Sequence, residues 1–160
     1  MGLGRDGEFE AAVASHTPAL LASARLVLSN DAEAWDAVQN TIEAALKHAE
    51  SLRDPGALRP WLLAIQSRQM LRIRQRARRA LSLDVVAFGL PSSPGPTVER
   101  LAVRDALARL PLRIRTAVVL HYMVGLPIAE VADAMGVSVN TVKSQVRVGA
   151  AKLREILSDE

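Results

Sequence analysis

Apolar residues along this chain recur three and four positions apart, the spacing of a helix face rather than the alternation of a strand. Residues 8–29 read as helix, with Pro18 either kinking it or starting its second half after Thr17. Asn30 or Asp31 can cap the next helix, in which Trp35, Val38, Ile42, Ala45 and Ala49 recur at helical spacing. A turn with the Pro55–Gly56 pair follows, and from about Pro60 a long helix begins. Trp61, Ile65, Met70, Ile73 and Ala77 give that helix its apolar side, and arginines fill its second half. Three helices around an Ala/Leu core make a first domain over 9–79.

The pattern lapses over residues 80–96, where three prolines, two glycines and one charge, Asp84, argue against a continued helix. This stretch reads as an interdomain linker. Periodicity resumes in a helix over 97–109, carrying Val98, Leu101, Ala102, Ala108 and the final Leu110. Another spans 112–124 with Ile114, Val118, Val119 and Tyr122 repeating, started by Pro111 and ended by Gly125. The second domain covers 97–157, and the fold class is all-α: two small helical domains joined by a flexible linker.

The sharpest pattern lies in residues 127–154. Ile128, Val131, Ala132 and Met135 form one buried stripe over two turns, and Gly136 then breaks the helix. Val137 can plug the gap between helices, and Ser138 can cap the next one. In that helix Val142, Val146, Ala150 and Leu153 face inward, which leaves Asn140, Thr141, Lys143, Ser144 and Arg147 facing out. A support helix, a tight Gly-containing turn and a helix with a polar outer face make a helix-turn-helix that can read a DNA major groove. Arg147 and Lys143 can donate to guanine edges or phosphates, and Asn140, Ser144 and Gln145 can reach bases. Thr141, at the helix start, suits a backbone phosphate near free N–H groups.

Charge sharpens this picture. Lys+Arg 20 against Asp+Glu 17 gives a net +3. The distribution says more, because Arg68, Arg72, Arg74, Arg76, Arg78 and Arg79 cluster and no carboxylate occurs between Asp54 and Asp84. Such a window makes a local positive field suited to a polyanion, and guanidinium forks match phosphate. Composition removes other classes. With no cysteine there is no disulfide scaffold, thiolate zinc site or cysteine nucleophile. His16, His48 and His121 fit no metal-ligand spacing. There is no Gly-rich phosphate loop, no run of about 18 apolar residues and no signal-peptide pattern. The expectation is a cytoplasmic helical protein without cofactor, metal, membrane insertion or catalytic residues.

Two motifs give the chain a family likeness. DAEAWDAVQNTIEAALKHAESLRDPGALRPWLLAI (31–65) and ALARLPLRIRTAVVLHYMVGLPIAEVADAMGVSVNTVKSQVRVGAAKLRE (106–155) resemble bacterial RNA polymerase sigma factors of the extracytoplasmic-function type, in the sigma-70 superfamily. The resemblance implies a factor that binds core polymerase and directs promoter-specific initiation, with no bond chemistry of its own. It implies that Asp36, Val38 and Gln39 meet the polymerase clamp. The turn at 51–59 and the helix bearing Trp61, Arg68, Arg72, Arg76 and Arg79 would recognise and melt the minus-ten element. Residues 138–147, with Ser138, Asn140, Thr141, Lys143, Ser144 and Arg147, would read the minus-thirty-five element. An anti-sigma factor is the further partner implied. The chain departs from the family pattern at Ser67-Arg68, where Arg-Asn is usual, and at Arg72, where Asp is usual. Trp35 and Asn40 replace acids, and Ile42 replaces Phe. These departures leave open a second reading, a sigma-like DNA-binding regulator that needs a partner to open promoters.

Overall fold

The computed structural model describes residues 3–81 and 98–159, with side chains described for 7–80 and 98–159. The first helical stretch divides at His16 into α1 (Leu3–Ser15) and α2 (Thr17–Leu28), bent by 41°. Pro18 lies in the first turn of α2, where its missing N–H leaves no intrahelical bond unmade. Of the two options the sequence left for Pro18, the fold takes the helix start. α2 closes with Ser29 at φ 57°, whose N–H bonds to Arg25 O at 3.2 Å. Asn30 then caps α3 (Asp31–Lys47), its Oδ1 accepting from the Glu33 N–H at 3.0 Å.

The inner face of α3 is Ala34, Ala37, Val38, Thr41 and Ala45; of the expected stripe Val38 and Ala45 are buried and Ile42 is half-buried, but Trp35 is 44% exposed. Alanines occupy the face that meets α2 and α4 because small side chains let helices approach closely, which puts the indole outside. Two short 3-10 turns, Ala49–Ser51 and Pro55–Ala57, lead into α4 (Leu58–Leu81). Its inner face keeps Met70 of the expected set and is otherwise rotated. Leu62, Leu63, Gln66, Ser67 and Met70 are buried, while Trp61, Ile65, Ile73 and Ala77 are half-buried. α4 runs through Leu81, so Ala80 and Leu81 are helical rather than linker. Residues 82–96 of the expected linker lie outside the described residues.

The second region comprises α5 (Val98–Ala108), α6 (Leu112–Val118), a π-helical turn (Val119–Met123), α7 (Ile128–Met135) and α8 (Val139–Ser158). α5 uses Ala106 and Leu107 against the core, with Leu110 just beyond it, while Val98 and Leu101 are exposed. The stripe expected for its first half is therefore not buried. The helix expected over 112–124 widens into the π turn, closed by the Val124 N–H on Val119 O at 2.9 Å. That widening turns Tyr122 outward, 56% exposed. Gly125 (φ 87°) and Gly136 (φ 67°) supply the left-handed backbone at the ends of the π turn and α7.

The two regions share one core. α7 packs against α4, and α5 and the π turn pack against α2. Among the described residues there is no strand, and no single helix is long and apolar enough to cross a membrane.

Candidate nucleic-acid interface

The helix-turn-helix is built as its sequence demands. Val131, Ala132 and Met135 are buried and Ile128 is half-buried. Gly136 ends α7, and the Val137 N–H returns to Ala132 O at 3.1 Å. Ser138 Oγ accepts the Thr141 N–H at 3.1 Å and lies 2.8 Å from Thr141 Oγ1. The cap therefore occupies the Thr141 N–H, so Thr141 offers a phosphate its hydroxyl rather than a free amide. Val142 and Val146 point into the core, while Asn140, Thr141, Lys143, Ser144 and Arg147 are all exposed on α8. Positions 140, 143/144 and 147 form a ridge over about 10 Å of helix at 1.5 Å per residue. Gln145 is half-buried with its Oε1 shielded, so it stands apart from that ridge.

One residue that seats α8 escaped sequence reasoning. Gly149 is buried where α8 crosses α6, and a Cβ there would lie 2.4 Å from Val118 Cγ2 and 2.9 Å from Ile114 Cγ2. Its signal was present as a glycine inside a strong helix, one turn beyond Val146.

The second cluster lies between α3 and α4. A cleft of about 290 Å³ is lined by Trp61, Arg68, Gln69, Arg72, His48 and Ser51 among others. A neighbouring depression of about 390 Å³ shares His48, Gln69 and Arg72 and adds Lys47, Arg76 and Glu43. Four of the expected positions, Trp61, Arg68, Arg72 and Arg76, thus line one continuous groove. Trp61 is half-buried, its ring centroid 6.2 Å from that of Phe9 in a tilted pair. Arg79 is exposed on the last turns of the same helix. Arg74 is diverted inward. It lies 3.5 Å from Glu33 and donates to Leu28 O. Burial pushes the Glu33 carboxyl above its ordinary pKa, Arg74 opposes that rise, and Asp36 adds to it.

On the outer face of α3, Asp36 and Gln39 are exposed together with Trp35. Val38 is 1% exposed. It packs the core and cannot itself meet a partner; the i, i+3 spacing of Asp36 and Gln39 puts those two outside. His121 has a local duty, its Nδ1 lying 2.8 Å from Leu126 O. Among the described residues no group of His, Asp and Glu could hold a metal ion.

Two family profiles match this chain: Sigma-70 region 2 over residues 12–80, and Sigma-70, region 4 over residues 100–153. The ECF RNA polymerase sigma factor SigM of Mycobacterium tuberculosis is 34% identical over 136 residues, covering 84% of this chain and 69% of that one. The RNA polymerase sigma-E factor of Streptomyces coelicolor is 31% identical over 156 residues, covering 94% and 86%. Among solved structures, the sigma factor RpoE in complex with the anti-sigma factor NepR from Bartonella quintana superposes with a TM-score of 0.79 at 26% identity, covering 94% of this chain and 97% of that one. CnrH in complex with the cytosolic domain of CnrY gives 0.69 at 28% identity, covering 95% and 88%. The chain belongs to the extracytoplasmic-function RNA polymerase sigma factors of the sigma-70 superfamily, proteins that direct transcription initiation by the polymerase and are not themselves enzymes.

Proposed function

We propose that this sigma factor divides promoter recognition between the α8 ridge and the α3–α4 groove. Asn140, Lys143, Ser144 and Arg147 read the minus-thirty-five element in the major groove, with Ser138 and Thr141 fixing the helix start against a phosphate. Trp61, Arg68, Arg72 and Arg76 hold the minus-ten element, and Arg79 extends the same charge along α4. Asp36 and Gln39 meet the core polymerase clamp while Val38 keeps their helix seated. The observation that carries this reading is the α8 ridge: its side chains are all exposed, while the valines behind it are buried. An anti-sigma factor is the further partner, supported by the likeness to a sigma chain solved with one.

The arginine-rich groove attracts backbone phosphate whatever the sequence, and Trp61 is its largest ring for stacking on an unpaired base, a contact worth about 1–3 kcal/mol. Run-off transcription from a randomised promoter library, with core polymerase present or omitted, tests the assignment. Transcripts from one promoter class, dependent on both proteins, are expected. Failure to co-purify with core would overturn the clamp assignment. Duplex binding without open complexes would overturn unaided melting.

A further inference from the structure

Three large apolar side chains stand exposed on α8: Val139, Val148 and Leu157. A helix turns about 100° per residue, so the direction of each follows from its number. With Ser144 taken as the centre of the α8 ridge, Asn140 lies about 40° and Arg147 about 60° to one side, and Thr141 about 60° to the other. Val148 falls about 40° from Ser144, between it and Thr141. Val139 and Leu157 both fall about 140° away, outside the ridge. Val148 is therefore the one large apolar group set among the polar residues of the ridge, and it is 46% exposed.

Folding gives this side chain little to do. It takes no place in the core, and a β-branched residue slightly lowers helix propensity. Its direction is nonetheless fixed. Gly149, the next residue, is buried where α8 crosses α6, with no room for a Cβ beside Val118 and Ile114. That notch sets the roll of α8 and keeps Val148 on the outward side. Ser144 and Ala151, one turn to either side of it, are short and exposed. No carboxylate occurs between Asp133 and Glu155, so nothing along this part of the surface repels phosphate.

Of the four bases only thymine puts a methyl group into the major groove, at C5. The polar residues of the ridge address donors and acceptors; Val148 alone offers a pair of methyl groups. We propose that Val148 is a specificity-determining residue that selects thymine in the upstream element, packing its methyl groups on the C5 methyl of the base. The inference deepens the function proposed above and rests on the assignment of the α8 ridge to the major groove. Along the axis Val148 lies about 6 Å beyond Ser144, roughly two base-pair steps, which sets its thymine apart from the base that Ser144 reaches.

The test uses the holoenzyme, the full chain with core polymerase, and the upstream element that it selects from a randomised promoter library. Each thymine of that element, on either strand, is replaced in turn by deoxyuridine, which keeps the pairing edge and loses only the methyl group. Dissociation constants from filter binding at one salt concentration should rise about fourfold at one position, the worth of one buried methyl group. In Val148→Ala, an exposed change that favours the helix, the same replacement should make no difference. A methyl dependence that persists in Val148→Ala, or deoxyuridine tolerated at every position by the parent, would overturn the assignment. Loss of core binding in Val148→Ala would make the residue a protein contact and overturn it as well. An element that Arg147→Ala weakens, but whose methyl groups are all indifferent, leaves the ridge standing and sinks Val148 alone. Selection of no upstream element would overturn the ridge assignment and this inference with it.

Discussion

The two regions of this sigma factor pack by different means. The N-terminal region buries Ser23, Thr41, Gln66 and Ser67, and each finds a carbonyl or hydroxyl close by. Thr41 and Ser67 return their hydroxyls to Ala37 O and Leu63 O on the preceding turn, at 2.6 and 2.8 Å. Gln66 Nε2 bridges Leu20 O at 3.0 Å and Ser23 Oγ at 2.8 Å, joining α4 to α2. The C-terminal region fills the space behind α8 with Val118, Val131, Ala132, Val142 and Val146. It admits α8 through the notch at Gly149. The N-terminal region tolerates a whole polar layer because helical hydroxyls satisfy themselves locally, as the buried Thr116 of the C-terminal region also does on Leu112 O at 2.7 Å. The other depends on close contact, where one methyl group is felt.

The largest expected effect comes from filling the notch. Gly149→Val should destabilise the C-terminal region by about 3 kcal/mol, the upper end for overpacking. Thermal unfolding followed by circular dichroism would show it, and loss below 1 kcal/mol would mean that α6 and α8 slide apart easily. Next comes the contrast between readers. Arg147→Ala should cost about 1–3 kcal/mol on the preferred upstream sequence and little elsewhere, if it pairs with a base. Arg72→Ala with Arg76→Ala should weaken binding on all sequences and flatten the salt dependence. Filter binding across salt concentrations separates the two behaviours, and an unchanged salt slope would remove phosphate contact from the groove.

The polar layer should be more forgiving. Gln66→Leu removes an amide whose Oε1 has no partner, and Leu20 O keeps the Ser23 hydroxyl at 3.0 Å. Stability should change by about 1 kcal/mol or less in either direction, since replacing a half-satisfied group by an apolar one of similar shape is often near neutral. A larger loss in urea unfolding would make this amide a true joint between α2 and α4. The smallest effect concerns Glu33, whose folded pKa lies above its unfolded value because burial disfavours the carboxylate. Between those two values the folded chain binds more protons, so stability falls as pH rises from about 4.5 through the folded pKa. Glu33→Gln should flatten that part of the stability–pH curve. A slope unchanged by the substitution would assign it to other groups.

The difference between the regions also explains how much could be read from the chain. In the C-terminal region the stripe of α7, the Gly136 break, the Ser138 cap and the outward set on α8 follow from residues within two turns of one another. In the N-terminal region helix identity and the Asn30 cap were legible, but the buried faces of α3 and α4 were not. Helical spacing put Trp35 and Trp61 on the apolar faces. On α3 alanines took most of the inner places, and on α4 Gln66 and Ser67 share them with Leu62, Leu63 and Met70, their acceptors being Leu20 O of α2 and Leu63 O of the same helix. Val38 belonged to the docking set that the resemblance implied, yet packing turns it into the core.

Sequence by itself determined the helical class, the helix-turn-helix, the arginine ridge of α4 and the family likeness, because each depends on local spacing and residue type. Tertiary structure decided where each arginine goes. Arg68, Arg72 and Arg76 line the groove, whereas Arg74 and Arg115 are drawn to the end of α2. It also placed the two regions against each other. Neither outcome is written in periodicity, since an unpaired helix carbonyl becomes a binding site only when a guanidinium from elsewhere in the chain is folded beside it.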